Sequence, residues 1–176
     1  MKKETFGIII ECIKGNIASQ DDMTAVVNAA NAQLQMGGGV AGALHRAAGP
    51  GLEEECRPLA PIKPGEAVIT GAHKLPNCFV IHCLGPVFGV DKPEDDLLAD
   101  CYRNALQLAE ENNIDSVAFP AISTGAFGFP IQEATEIAFQ TVKGILPKLK
   151  KVKHIRFVLH DQNALSVHER YLEKFF

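Results

Sequence analysis

Short runs of nearly continuous apolar residues alternate along this chain with longer stretches in which apolar side chains recur every three or four positions. TFGIIIECI, Thr5 to Ile13, is rich in β-branched residues and predicts a strand ended by the turn signal Lys14-Gly15-Asn16. TAVVN (Thr24 to Asn28), EAVITGA, NCFVIHC, SVAFP and HIRFVLH complete the predicted strands. Their apolar character at successive positions suits strands covered on both faces.

Helical spacing is clearest in KPEDDLLADCYRNALQLAEENN, where Leu97, Leu98, Cys101, Ala105, Leu108 and Ala109 fall on one face. Pro93 suits the first helical position there, and acids fill the first turn. Pro130 opens another helix, with Ala134, Ile137, Ala138 and Val142 sharing a face, and Ala164 to Phe176 predicts the last. VAGALHRAAG adds one more. Strands alternating with helices predict an α/β fold: a three-layer α/β/α sandwich around a mixed, largely parallel central sheet. With 176 residues and no repeat, linker or low-complexity segment, residues 1–176 are expected to form a single domain.

Composition narrows the function. The chain is 47% hydrophobic and 22% charged, the proportions of an ordinary folded domain. A net charge of −4 argues against a surface that attracts polyanions at long range, so nucleic acid is not the expected partner. The basic run KLKKVKH reads as a solvated turn before a strand. Five cysteines without a CxxC pair suggest buried, reduced thiols rather than disulfides or a zinc site. The N-terminal lysines and apolar run resemble a signal peptide only superficially, since Glu11 interrupts the run, and no later segment has the length to span a membrane. A cytoplasmic setting is expected.

In parallel sheets, ligands bind beyond the carboxyl ends of the strands. Two loops qualify: NAANAQLQMGGGVAG after TAVVN, and AISTGAFGFP after SVAF. Gly37, Gly38 and Gly39 let the backbone approach a ligand closely, and the helix that follows presents free amides and the positive end of its dipole. One such loop is equally well a flexible connector. A second small-residue loop, Ser123 to Ala126, again before a helix, favours a diphosphate held between the two.

Other phosphate chemistries fit less well. Gly37, Gly39 and Gly42 satisfy GxGxxG, but eight residues separate them from the strand, and no acid-ended strand follows at the dinucleotide-binding distance. GxxxxGK[ST] is absent. His82-Cys83 lacks the arginine of a cysteine phosphatase, because Gly89 stands there, so Cys83 reads as a buried strand residue. Asn28 reads as a turn cap. Asn31, nearer the glycines, has a carboxamide suited to donate to and accept from a ribose hydroxyl.

The combination VVNAANAQLQMGGGVAGALHRAAGP with VAFPAISTGAFGFP resembles the macro domain family, modules that bind ADP-ribose and in many members hydrolyse its derivatives. The likeness runs from Gly15 to VLHD at His160. It implies an ADP-ribose cleft in which Gly37, Gly38, Gly39, Val40 and Ala41 face Ser123, Thr124, Gly125, Ala126 and Phe127 across the diphosphate. It places Asn31 and the Phe127 ring at the distal ribose. At the adenine end it implies Asn16, standing where many relatives have Asp, with Ile17 beside it, His160 where relatives often place a stacking ring, and Asp161 next to it.

The implied activity is hydrolysis of ADP-ribosylated protein side chains, O-acetyl-ADP-ribose or ADP-ribose-1''-phosphate; partners would be ADP-ribose, its small-molecule derivatives and ADP-ribosylated proteins. Hydrolase-like members commonly read GGGVD where this chain reads GGGVA, so Ala41 lacks the side chain that would orient water. A non-catalytic ADP-ribose reader is therefore the alternative, and binding of single-stranded RNA through an adenine pocket a third. Asn31 and His45 are the candidate catalytic residues, His45 being equally well a packing residue of its helix. Arg46 and Glu53 to Glu55 read as a solvated or loosely paired helix face. The six histidines show no metal-ligand spacing, and neither metal nor cofactor is expected.

Overall fold

The computed structural model describes residues 1–176. Seven strands, β1 (Lys2–Thr5), β2 (Ile8–Lys14), β3 (Ala25–Ala29), β4 (Ala67–Gly71), β5 (Phe79–Cys83), β6 (Ser116–Phe119) and β7 (His154–Leu159), form one sheet. Their order is β1-β2-β7-β6-β3-β5-β4. The five inner strands are parallel, and β1 and β4 close the two edges antiparallel to their neighbours. The expected mixed, largely parallel sheet is thus observed.

Alternation along the strands separates the two faces. Val26, Val80, Ala118 and Val158 pack with Leu44, Ala48 and Leu52 beneath α1 (Gly39–Ala48) and α2 (Pro50–Cys56). Ala25, Val27, Ile81, Val117, Phe119 and Phe157 face α3 (Glu94–Glu111), α4 (Ile131–Ile145) and α5 (Gln162–Phe175). The aromatic centre of that side is Phe157, with Phe139 at 4.8 Å and Phe119 at 5.8 Å between ring centroids.

Several local expectations are corrected. TFGIIIECI is not one strand: Phe6 and Gly7, with φ of 52° and 70°, make a two-residue turn that pairs Thr5 with Ile8, and the chain folds back as a hairpin. Two successive positive φ values give the turn the twist that hairpins favour. Pro93 and Pro130 stand one residue ahead of α3 and α4 rather than inside them. Asn28 is no turn cap; it lies buried within β3, and its amide donates to His82 Nδ1 (3.1 Å). The basic run after α4 is, as expected, a turn with exposed lysines before a strand, and its amides at Lys150, Lys151 and Val152 donate to the Glu110 carboxylate. Four cysteines are buried as expected, but Cys78 is exposed.

Candidate functional site

β3 and β6 are neighbours and parallel, so the loops that leave their carboxyl ends rise side by side. β7 and β2 continue the same row, joined at its end by Gly15 N donating to Leu159 O (2.9 Å). A cleft follows from this topology, running along the carboxyl ends of four adjacent strands. It consists of two cavities, of about 330 and 460 Å³, that share Gly39, Val40, Ala121 and Gly125.

The smaller cavity lies over β3 and β6. It is lined by Asn31, Gly37, Gly38, Gly39, Val40 and Ala41 on one side and by Ser123, Gly125, Ala126 and Phe127 on the other. The larger, over β7 and β2, is lined by Asn16, Ile17, Thr124 and His160, among others. The structure therefore brings together on the cleft walls every residue expected there except Asp161 and His45. Sequence reading missed the small and apolar lining of Ala29, Ala30, Ala43, Pro120, Ala121 and Val158. Apart from Ala43, which lies within α1, their only signal was a position at or near a strand end.

The backbone of the two loops is unusually rich in free donors. The amides of Gly37, Gly38, Gly39, Val40 and Ala41 meet no acceptor in the chain, the first intrahelical bond of α1 being Gly42 N to Gly38 O. In the facing loop, the amides of Ser123, Gly125, Ala126 and Phe127 are likewise unpaired. That loop is nevertheless held firmly: Phe129 N donates to Ser123 O, Gly128 N to Gly125 O, and Phe88 N to Phe127 O. Ser123 adopts a φ of 68°, and a Cβ at Gly85 would run into its Oγ. On the other wall, a Cβ at Gly42 would run into the carbonyl of Gly37. Glycine at both places is what lets the loops sit this close to the body of the fold.

No lysine or arginine lines either cavity, and the one imidazole there, His160, has a side chain that is 91% exposed. The site is an anion cradle made of backbone dipoles and a helix N-terminus, which together favour a bound phosphate group. The larger cavity adds Ile17, Val158 and Leu159, an apolar wall suited to a flat ring.

Side-chain geometry refines the expected roles. Asn31 Oδ1 accepts from Gln35 N (3.0 Å) and its Nδ2 donates to Gln35 O (2.8 Å). Asn16 Oδ1 already accepts from Ala18 N (2.9 Å), capping a short 3-10 turn, so only one lone pair is left for a ligand. Asp161 serves as the N-cap of α5, accepting from Ala164 N (2.7 Å).

His45 lies on the buried side of α1, and its Nε2 reaches no partner. Burial, opposed by nearby Glu53, holds its pKa below the usual histidine range. Beneath it, His82 is buried and held neutral, its pKa pushed down to about 3 by burial and then by His45. With Nδ1 accepting from Asn28, the His82 proton sits on Nε2 and is donated to Thr70 Oγ1 (2.9 Å). Glu55, on the face expected to be solvated or loosely paired, is exposed and accepts from His73 Nε2 (2.7 Å) and Gly71 N (3.1 Å).

Residues 27–138 match the family model described as Macro domain. Among curated proteins, the chain is 45% identical over 166 residues to a macro domain-containing protein of Chlorobaculum tepidum, covering 94% of this chain and 96% of that one. It is also 45% identical over 170 residues to a Klebsiella pneumoniae protein named O-acetyl-ADP-ribose deacetylase, covering 94% and 97%. Among solved structures, the Oceanobacillus iheyensis macrodomain with ADP superposes with a TM-score of 0.94 at 37% identity, covering 99% of this chain and 95% of that one. A Trypanosoma brucei macrodomain in complex with ADP-ribose gives 0.85 at 33% identity, covering 93% and 68%.

Proposed function

The chain belongs to the macro domain family, and from that premise we propose that it binds ADP-ribose and hydrolyses ADP-ribose derivatives, with residues 1–176 acting as one such domain. The observation that carries this reading is the set of unpaired amides on both loops. A diphosphate between them accepts from the Gly37 to Ala41 wall and from Ser123, Gly125, Ala126 and Phe127. Charge-assisted hydrogen bonds of this kind are the strong ones. The adenosine end then extends over Ile17, Val158 and His160, and the distal ribose over Asn31 and Phe127.

Hydrolysis in such a site rests on positioning and on stabilising developing charge, not on a strong general base. Asn31, with its carboxamide oriented by Gln35, is the polar side chain best placed at the sugar. His45 stands behind the wall, supporting α1 from below. The alternative reading, a binding module without turnover, is favoured by one observation: Ala41, on the cleft wall and 5% exposed, presents only a methyl group.

Calorimetric titration with ADP-ribose, ADP, AMP and NAD tests the site, and incubation with O-acetyl-ADP-ribose and an ADP-ribosylated protein tests the chemistry. Binding selective for ADP-ribose with turnover above buffer is expected. Equal binding of AMP would reduce the cleft to a generic adenine pocket, and binding without turnover would leave the reader.

A further inference from the structure

Next to the distal end of the cleft, the same loop borders a second depression that the proposed function leaves unused. It has a volume of about 210 Å³ and is lined by Gln33, Gln35, Glu53, Arg57 and Ala60. The two sites share a wall, because Asn31, which lines the cleft, is hydrogen-bonded to the backbone of Gln35, which lines the depression. The depression therefore adjoins the end of the cleft at which the proposed function places the distal ribose.

Its chemistry differs from that of the cleft. The side-chain amides of Gln33 and Gln35 are exposed and have no hydrogen-bond partner in the chain, so each offers a donor pair and an acceptor. Carboxamides of this kind match the alternating N–H and C=O groups of an extended polypeptide. Arg57 is exposed, with no carboxylate within ion-pairing distance and no hydrogen-bond acceptor for its guanidinium. Glu53, the one acid here, is turned toward the glycine loop, where its Oε1 accepts from Met36 N (3.4 Å). Glu53 is half-buried and Arg57 exposed, so the charge that the depression presents to solvent is mainly the guanidinium, which favours carboxylates.

Building on the proposed function, we propose that this depression holds the polypeptide to which ADP-ribose is attached, its main chain against Gln33 and Gln35 and a flanking acidic side chain on Arg57. The preferred substrates are then ADP-ribosylated segments rich in Asp and Glu, and small derivatives of ADP-ribose leave this contact unmade. Arg57 and Gln33 act as specificity-determining residues that touch neither the diphosphate nor the sugars.

The test compares three ligands: ADP-ribose, and ADP-ribose joined through a hydrolysis-resistant linkage to a peptide flanked by glutamates or by alanines. Affinities are measured for wild type, Arg57→Glu and Gln33→Ala. The glutamate-flanked conjugate is expected to bind wild type more tightly than ADP-ribose does. Arg57→Glu is expected to weaken that conjugate about five- to tenfold, less at high salt, and to leave ADP-ribose unchanged. Gln33→Ala should weaken both conjugates about two- to threefold. Equal affinities of the two conjugates, or an equal loss for ADP-ribose in Arg57→Glu, would overturn the inference. Failure of wild type to bind ADP-ribose at all would instead overturn the proposed function, a result the same titrations separate.

Discussion

Asn31 is clasped by a single residue, Gln35, whose amide and carbonyl take both ends of its carboxamide at 3.0 and 2.8 Å. Because a backbone N–H only donates and a C=O only accepts, this pairing fixes which end of Asn31 is oxygen. One hydrogen and one lone pair remain free for a sugar hydroxyl. Asn31→Asp puts a carboxylate oxygen against the Gln35 carbonyl and loses the free donor. Titration should show ADP-ribose affinity falling about tenfold or more, with Asn31→Ala falling less because it brings no repulsion. Equal affinity in Asn31→Asp would remove the sugar contact.

Gly38 gives a cleaner probe of the diphosphate. Its φ is −84°, which any residue adopts, and a Cβ there meets nothing within 4 Å. Gly38→Glu should therefore leave the melting temperature within about 2 °C of wild type. Its carboxylate, standing in the cradle, should abolish detectable ADP-ribose binding. A variant that folds and still binds would place the diphosphate elsewhere.

Ala41 decides between turnover and mere binding. It sits in the first turn of α1, which contains no acid, so Ala41→Asp gains about 0.3–1 kcal/mol from the helix dipole, against the cost of burying the charge. With a carboxylate at the sugar end of the cleft, turnover of O-acetyl-ADP-ribose should rise about tenfold or more, while affinity for the dianionic ligand falls modestly. An unchanged rate in a variant that still binds would show that Ala41 limits nothing.

Stability should fall with acidification in two stages. Burial holds His168 neutral, its pKa pushed down to about 4, although its Nδ1–H donates to the Ala164 carbonyl (2.8 Å). The unfolded chain protonates this ring near 6.5, so it takes up protons first, and stability drops by up to about 1.4 kcal/mol per pH unit per such histidine from pH 6.5 down to about 4. His82 acts in the same sense. Below this range, Glu11 and Asp22 take over. Burial alone would raise Glu11, but hydrogen bonds from Arg156 and His154 bring it below 4.5, and Arg156 holds Asp22 below 3.8. Carboxylates with depressed pKa stabilise the fold above their ordinary values, and that contribution disappears as they are protonated. Denaturant titrations from pH 7 to 3 should show His168→Leu less stable at pH 7 but flatter between 6.5 and 4.

The sheet, its flanking helices and the two cleft loops were legible because each has a periodic or compositional signature: apolar strand runs, three- and four-residue helical spacing, glycines ahead of a helix. The roles of individual polar residues were less so. Asn16 and Asp161 spend side-chain oxygens on backbone caps, and Asn28 faces His82 across two strands. Such choices depend on which partner the fold delivers, and that distance is not written in the local sequence. Asp161, expected beside the ligand, follows the cavity-lining His160 and caps α5. His45 shares the buried side of α1 with Ala41, as its spacing suggested, yet Ala41 reaches the cleft from the end of the helix and His45 points into the core. The free amides were anticipated at the glycines, but those at Ser123 and Ala126 depend on a loop closed by Phe129 and Phe88.

A cradle of main-chain amides grips its anion with atoms that every residue except proline possesses and that gain or lose no proton at ordinary pH. Affinity for the diphosphate itself should thus be insensitive to pH from about 5 to 9, unlike a grip built on histidine or lysine. The loops are also free to exchange side chains so long as the path of the backbone is kept. What must be inherited in such a site is a curve rather than a set of functional groups.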